Sequence, residues 1–321
     1  MNRRAPGREA LRATRSAIAL AACVVALAGC AGPDPLRAAG SADRGASLEA
    51  TPIGAPKVII AAGDIADCTS RGDEATAALL DSLRGTVVAL GDNAYPSGTD
   101  RNYAQCYDPS WGRHKARTRP TPGNHEYRTA AAGGYFRYYG AAAGDPQKGY
   151  YSYDLGDWHI IVLNTNSNCA DIRCGTGSSQ LRWLREDLAA NPAKCTLAYW
   201  HHPRWNSGSH HGNNVNVGPF WRALYDAGAD VVLNGHEHLY ERFAPQTPDG
   251  TLDPARGIRQ FTVGTGGRRE YGFGETQANS EIRQTGTDGV LKLELDDDGY
   301  RWEFIPVRGG TFRDAGEGQC H

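Results

Sequence analysis

The chain has 321 residues, with 34 lysines and arginines against 36 aspartates and glutamates, a formal net charge of −2. That length suffices for a large buried core, and 40% hydrophobic with 22% charged residues excludes a wholly disordered chain. The near-neutral balance excludes a dedicated nucleic-acid binder, which carries a basic excess, so no nucleic-acid surface is expected.

The N-terminal segment holds Arg3, Arg4, Arg8, Arg12 and Arg15, and residues 17–28 (AIALAACVVALA) then carry no charge. A basic region before so short an apolar run reads as an export signal, because a spanning helix needs about 20 residues. The run ends in Leu27-Ala28-Gly29-Cys30, which resembles a bacterial lipobox. That resemblance implies cleavage after residue 29 and a lipid on the Cys30 sulfur, the chain's only link to the membrane, on its outer face. Without residues 1–29 the chain keeps 34 − 5 = 29 basic and 36 − 1 = 35 acidic residues, a net charge of −6. Residues 30–56, rich in Ala, Gly, Pro and Ser, read as a flexible tether, and residues 57–321 as one domain.

Eight cysteines are numerous for a reducing compartment. Beyond Cys23 and Cys30, six remain to form bridges: Cys68, Cys106, Cys169, Cys174, Cys195 and Cys320. Cys169–Cys174 is favoured because its loop is short, with Cys68–Cys106 and Cys195–Cys320 as the working assignment for the rest.

Along the domain, short apolar runs rich in β-branched residues predict strands at Val58–Ala62, Thr86–Leu90, Trp158–Leu163, Thr196–Trp200, Val231–Leu233, Phe261–Val263, Val290–Leu295 and Trp302–Val307. Helical patterns lie at 72–84, 178–190 and 217–227, and their alternation with strands predicts an α/β protein. From about residue 258 strands dominate, and Asp297-Asp298-Gly299 reads as a hairpin turn.

Chemistry-bearing residues cluster immediately after these runs. Asp64 follows VIIAAG; Asp92 and Tyr95 follow TVVALG; Asn124, His125 and Glu126 follow TPG; His201 and His202 follow TLAYW; His236 and His238 follow VVLNG. In open α/β sheets ligands bind outside the carboxyl ends of the strands. Glycine precedes the key residue at Gly63, Gly91, Gly123 and Gly235, where it is expected to permit the sharp turn over the strand end. Carboxylates, an amide, a phenol and several imidazoles exceed the needs of one ion and suit two ions about 3.5–4 Å apart, an arrangement that serves phosphoryl transfer. A phenol has an ordinary pKa of about 10, so only a strongly acidic ion such as Fe(III) holds it deprotonated near neutrality.

In order, Gly63-Asp64, GDNAY (91–95), GNHE (123–126), H-x-P (201–203) and GHEH (235–238) resemble the blocks of the calcineurin-like metallophosphoesterases. Ala66 stands where most of that superfamily has a metal-binding histidine, whereas Tyr95 follows Asp92 at the D-x-x-Y spacing of purple acid phosphatases. GHEHLYER (235–242) and HHPRWNSGSHH (201–211) are similar to the same branch, in its small single-domain form.

The resemblance implies two packed β-sheets flanked by helices, a four-layer α-β-β-α sandwich. It places Asp64, Asp92, Tyr95 and His238 around Fe(III). Asp92 would bridge to a divalent Fe, Zn or Mn ion completed by Asn124, His201 and His236, with His202 as the alternative to His201. His125, His210 and His211 match positions that contact phosphate or protonate the leaving alkoxide. The implied reaction is in-line attack on phosphorus by a metal-bridging hydroxide, on a small phosphorylated substrate, a monoester first, outside the cytoplasm. The competing readings are a Mn- or Zn-dependent phosphodiesterase or nucleotidase, and a non-catalytic surface lipoprotein.

Outside the ligand set, Glu126 is expected to position His125. His114 and His159 read as surface or core histidines, Val263–Gly267 as a tight turn near the site, and Tyr135–Tyr139 as packing residues.

Overall fold

The computed structural model describes residues 57–166 and 175–321. The expected export signal, Cys30, the expected tether and the expected Cys169–Cys174 bridge lie outside the described residues.

Among the described residues thirteen strands form two mixed sheets. The first has the order β13-β12-β11-β1-β2-β3, from β1 (Lys57–Ala62), β2 (Thr86–Leu90), β3 (Thr118–Thr121), β11 (Gly289–Leu295), β12 (Gly299–Pro306) and β13 (Ala315–Gln319). The second has the order β10-β8-β9-β7-β6-β5-β4, from β4 (Tyr151–Leu155), β5 (Trp158–Val162), β6 (Cys195–Tyr199), β7 (Val231–Asn234), β8 (Tyr240–Phe243), β9 (Arg259–Val263) and β10 (Ser280–Gln284). β1, β2 and β3 run parallel, as do β5, β6, β7 and β9, while the outer pairs are antiparallel.

The side-chain alternation of the central strands explains the layering. Ile160, Val162, Leu197, Tyr199, Val231 and Leu233 join Ile59, Val87 and Leu293 in a shared core between the sheets. Their neighbours Ile161, Ala198, Trp200 and Val232 point to the opposite face, where they bury Leu181 and Leu184 of one helix and Phe220, Trp221 and Leu224 of another. Those helices are α4 (Ser179–Ala190), whose Ser178 side chain caps the Leu181 amide, and α5 (Gly218–Asp226). On the first sheet, α1 (Gly72–Ser82) buries Thr76, Ala77 and Leu80. A strand buried on both faces has no polar side, which is why the central strands read as unbroken apolar runs.

Two short helices, α2 (Asp100–Asn102) and α3 (Gly133–Tyr139), lie between β2 and β4. Tyr135, Phe136 and Tyr139 are buried with Tyr103 and Tyr107, so the aromatic run packs as its composition suggests. The hairpin expected at residues 297–299 is present: β11 and β12 pair with Leu295 opposite Tyr300. Five strands escape the sequence pattern, namely β3, β4, β8, β10 and β13. Four of them are the outer strands of the two sheets.

Cys68 bonds to Cys106 and Cys195 to Cys320, with Cα separations of 4.9 and 5.3 Å. Both match the working assignment. Cys320 thereby joins the end of β13 to the start of β6. Among the described residues no helix is long and apolar enough to cross a membrane.

Candidate metal centre

The parallel strands of both sheets end at one place. β1 delivers Asp64, β2 delivers Asp92 and Tyr95, and the turn after β3 delivers Asn124 and His125. From the second sheet, β6 delivers His201 and His202, and β7 delivers His236 and His238. Asp64, Asp92, Tyr95, His201 and His238 are buried, whereas Asn124, His125, His202 and His236 are partly open and His210 and His211 are exposed. A deep cluster thus opens outward through histidines.

Three of these residues carry the strain of the turns themselves. Asp64, Asp92 and His236 have φ of 60°, 50° and 73°, a left-handed conformation uncommon for side-chain-bearing residues. This revises the expected role of the preceding glycines. Only Gly91 (φ 86°) supplies a positive φ; Gly63, Gly123 and Gly235 do not. Gly123 is required instead by proximity, since a Cβ there would strike the Asp92 carboxylate.

The Tyr95 hydroxyl lies 3.1 Å from Asp64 Oδ1, 3.2 Å from Asp92 Oδ2 and 3.2 Å from His238 Nε2. His238 Nε2 is also 3.3 Å from Asp64 Oδ1, and its Nδ1 is fixed by the Arg269 carbonyl at 2.7 Å. On the other side, His201 Nε2 lies 3.2 Å from Asn124 Oδ1, 3.4 Å from Asp92 Oδ2 and 3.2 Å from His236 Nδ1. His201 Nδ1 faces the Leu90 carbonyl at 2.8 Å, an outer contact of the kind that fixes a metal-binding tautomer. Asp92 is common to both groups. Ligand atoms of Asp64, Asp92 and His201 converge within 4.8 Å, as do those of His201, His202 and His236.

Proton accounting tests whether cations suit this arrangement. One phenolic hydrogen cannot serve two carboxylates and an imidazole, and a His201 ring that donates through Nδ1 presents a lone pair at Nε2 to further acceptors. With neutral rings acceptors therefore outnumber hydrogens; without a cation, burial is outweighed by the Asp92 charge, which raises His201 to about 9. The hard-oxygen and imidazole set fits two cations. Burial followed by the Asp92 and Asp64 charges pushes the Tyr95 phenol well above its ordinary value. Burial followed by the neighbouring His202 and His201 rings holds His236 well below, as a neutral ligand-competent imidazole. Burial followed by His201 likewise lowers His202 to about 3, and its Nδ1 pairs with the Thr165 hydroxyl at 2.8 Å. At the position of the missing superfamily histidine, Ala66 bridges to Ala94 and its carbonyl accepts the Tyr95 amide. The first turn is thus laced to the turn that carries the phenol.

Several functional supports lie beyond the reach of sequence reasoning. Glu126 does not hold the His125 ring, which faces the Pro96 carbonyl at 2.7 Å through Nδ1. Its buried carboxylate instead accepts the amides of Asp92, Asn93, Ala94 and Gly123, at 2.9, 2.9, 3.3 and 2.7 Å. It ties two ligand-bearing turns together. Tyr271, absent from every motif, stacks on His238 at 4.0 Å and on His210 at 4.2 Å. Arg268 pairs with Asp67 and lies 4.8 Å over the Tyr95 ring. The Val263–Gly267 segment is a turn against the first block, where the Gly63 amide donates to Val263 and the Gly266 amide to Gly63. His114 and His159 stay outside: His114 pairs with Asp81, and His159 is buried between Asp154 and Asp187.

A model of the calcineurin-like phosphoesterase family matches residues 47–240. Purple acid phosphatase 15 of Arabidopsis thaliana is 33% identical over 126 residues, which cover 38% of this chain and 22% of that protein. Purple acid phosphatase 22 of the same plant is 34% identical over 126 residues, covering 38% of this chain and 27% of that protein. These matches therefore span about a quarter of the relatives' length. Among solved structures, the purple acid phosphatase PPD1 from yellow lupin seeds superposes with a TM-score of 0.66 at 15% identity, over 82% of this chain and 53% of that one. GAP50, the anchor in the inner membrane complex of Plasmodium, superposes with a TM-score of 0.65 at 14% identity, over 83% and 90%. The structural likenesses establish the fold: two mixed sheets flanked by helices.

Proposed function

The chain belongs to the calcineurin-like phosphoesterase family, and from that premise we propose that it is a binuclear phosphoester hydrolase of purple acid phosphatase type, acting on small phosphomonoesters outside the cytoplasm. The observation that carries this reading is the Tyr95 hydroxyl set within 3.1–3.2 Å of Asp64, Asp92 and His238. A phenol at the centre of carboxylates and imidazole suits Fe(III), and the Asn124, His201 and His236 group beside it suits a divalent Fe, Zn or Mn ion.

Asp92 would bridge the two ions. Such a pair, when bound, would supply the activation of water at neutral pH and the charge that neutralises phosphoryl oxygens. The chain's own residues do the rest. Glu126 and the Leu90 and Arg269 carbonyls hold the ligands in place. His125 lies against the Tyr95 ring, 4.3 Å between centroids, at the opening of the cluster. His210 and His211 stand at the exposed side, where they can meet the phosphate and return a proton to the leaving oxygen.

The disulfides support an oxidising compartment, in keeping with export and a lipid on Cys30. Mass spectrometry of the membrane-associated protein tests the anchor: a diacylated N-terminal Cys30 is expected, and an unmodified one removes it.

The decisive test of the centre is metal analysis and visible absorption of the iron-loaded protein beside a phosphoester panel. Two ions per chain, a tyrosinate-to-iron band lost in Tyr95→Phe, and faster release from monoesters than diesters are expected. No band in either protein removes the purple assignment, and preferential diester cleavage transfers the site to phosphodiesterase chemistry.

A further inference from the structure

Glu237 separates the ligands His236 and His238 in the chain, yet its fully buried carboxylate bonds to neither. Its hydrogen bonds all go to the loop of residues 206–211. Asn206 donates from Nδ2 at 2.9 Å, the His210 amide at 3.1 Å, the His211 amide at 3.0 Å and the His211 ring from Nδ1 at 3.1 Å. Gly208 packs so closely that a Cβ there would overlap the Glu237 carboxyl group, so the loop is built around this residue.

A carboxylate only accepts, so the His211 nitrogen facing it must carry the hydrogen. The remaining ring nitrogen, Nε2, is then the one free to act. The His211 ring lies on His236, with centroids 3.8 Å apart and planes 26° from parallel, while its side chain stays 29% exposed at the mouth of the cluster.

We propose that Glu237 is a positioning residue that holds His211 over His236 with Nδ1–H on its carboxylate, so that in the imidazolium it is Nε2–H that hands the leaving oxygen its proton. The inference rests on the hydrolase reading. As the P–O bond breaks, its electron pair stays on the departing oxygen; the Nε2–H bond of the imidazolium breaks and the O–H bond of the alcohol forms. Neutral His211 remains, its Nδ1–H still on Glu237, and regains its proton from water.

The test compares two esters in the metal-loaded protein. An alkyl ester such as β-glycerophosphate needs the proton, whereas p-nitrophenyl phosphate releases an anion stable without it. Glu237→Gln is expected to lower kcat on the alkyl ester about 100-fold and on the aryl ester less than about threefold, with metal content unchanged. His211→Gln should give the same split, and the double variant should be no slower than His211→Gln alone. An unchanged alkyl-to-aryl ratio, an equal fall on both esters, loss of the ions from Glu237→Gln, or multiplied losses in the double variant would each overturn the proposal. Nitrogen-15 shifts of His211 in the zinc-loaded wild type test it without any variant: the Nδ1–H form is expected, and the Nε2–H form refutes it. Wild-type protein that releases no phosphate from either ester refutes the hydrolase reading itself, whereas turnover with an unchanged ratio refutes the Glu237 role alone.

Discussion

At two places among the described residues a buried histidine faces carboxylates, and their proton accounts differ. His159, on β5, places Nδ1 2.9 Å from Asp154 and Nε2 2.9 Å from Asp187. Asp187 also accepts the Ser152 hydroxyl at 2.8 Å. Every ring hydrogen has an acceptor. At the strand ends, by contrast, Tyr95, Asp64, Asp92, His238, His201 and Asn124 turn acceptors toward one another. Three residues there, Asp64, Asp92 and His236, also bear left-handed backbone, which no residue of the His159 group does. Residue type is alike in the two places, but the Asp154 side chain is 71% exposed whereas Asp64 and Asp92 are buried. What separates the two is the burial of the carboxylates, the balance of hydrogens between neutral groups and the strain tolerated to reach it.

The largest effect should come from Asp92, common to both ion groups. Asp92→Asn should strip metal from the protein and lower phosphate release at least about 1,000-fold, since several kcal/mol of charge stabilisation is lost. Elemental analysis and a phosphate assay check this; retained metal would erase the contrast with His159.

Glu126 comes next, because it lies at the site but is balanced like His159. Removing its carboxylate in Glu126→Ala leaves the buried amides of Asp92, Asn93 and Gly123 unmatched, a cost of about 3 kcal/mol in denaturant unfolding. Weaker metal retention should accompany it. A destabilised protein with intact metal affinity would make Glu126 a matter of folding alone.

The smallest effect belongs to His159→Gln, about 1–2 kcal/mol, with metal content unchanged. Burial opposes the charged ring, but the hydrogen bonds it donates to Asp187 and Asp154 prevail and raise His159 above its ordinary value. A raised histidine contributes stability fully present below about pH 6.5 and lost as pH rises through the folded value. The melting-temperature gap between wild type and His159→Gln should therefore narrow from pH 6 to pH 9. A constant gap would mean the imidazole acts by packing alone.

Legibility followed burial for every strand but β8, which is buried yet whose YERF carries two charged residues. The central strands were readable because two apolar faces leave a continuous run, as in VVAL of β2 or VVL of β7. The outer strands were not: TRPT, YSYDL, SEIRQ and AGEGQ each have one side toward solvent and carry little apolar signal. In the centre, residue type and spacing announced Asp64, Asp92, Tyr95, Asn124 and the histidines, since ligand chemistry belongs to the side chain. Glu126 and Glu237 were misjudged or passed over because a carboxylate's partners are invisible until the chain folds.

By itself, then, the sequence determined which chemical groups stand at the ends of the buried strands and in what order. That information is local: strand period, a terminating glycine and the donor atoms of each side chain. Tertiary structure decided what those groups face. Asp64 meets His238 across 174 positions, and Glu126 gathers amides from residues 92–94. Asp64, Asp92 and His236 take positive φ where the strand ends of the two sheets meet. Such pairings depend on the packing of distant elements, and no window of residues contains them.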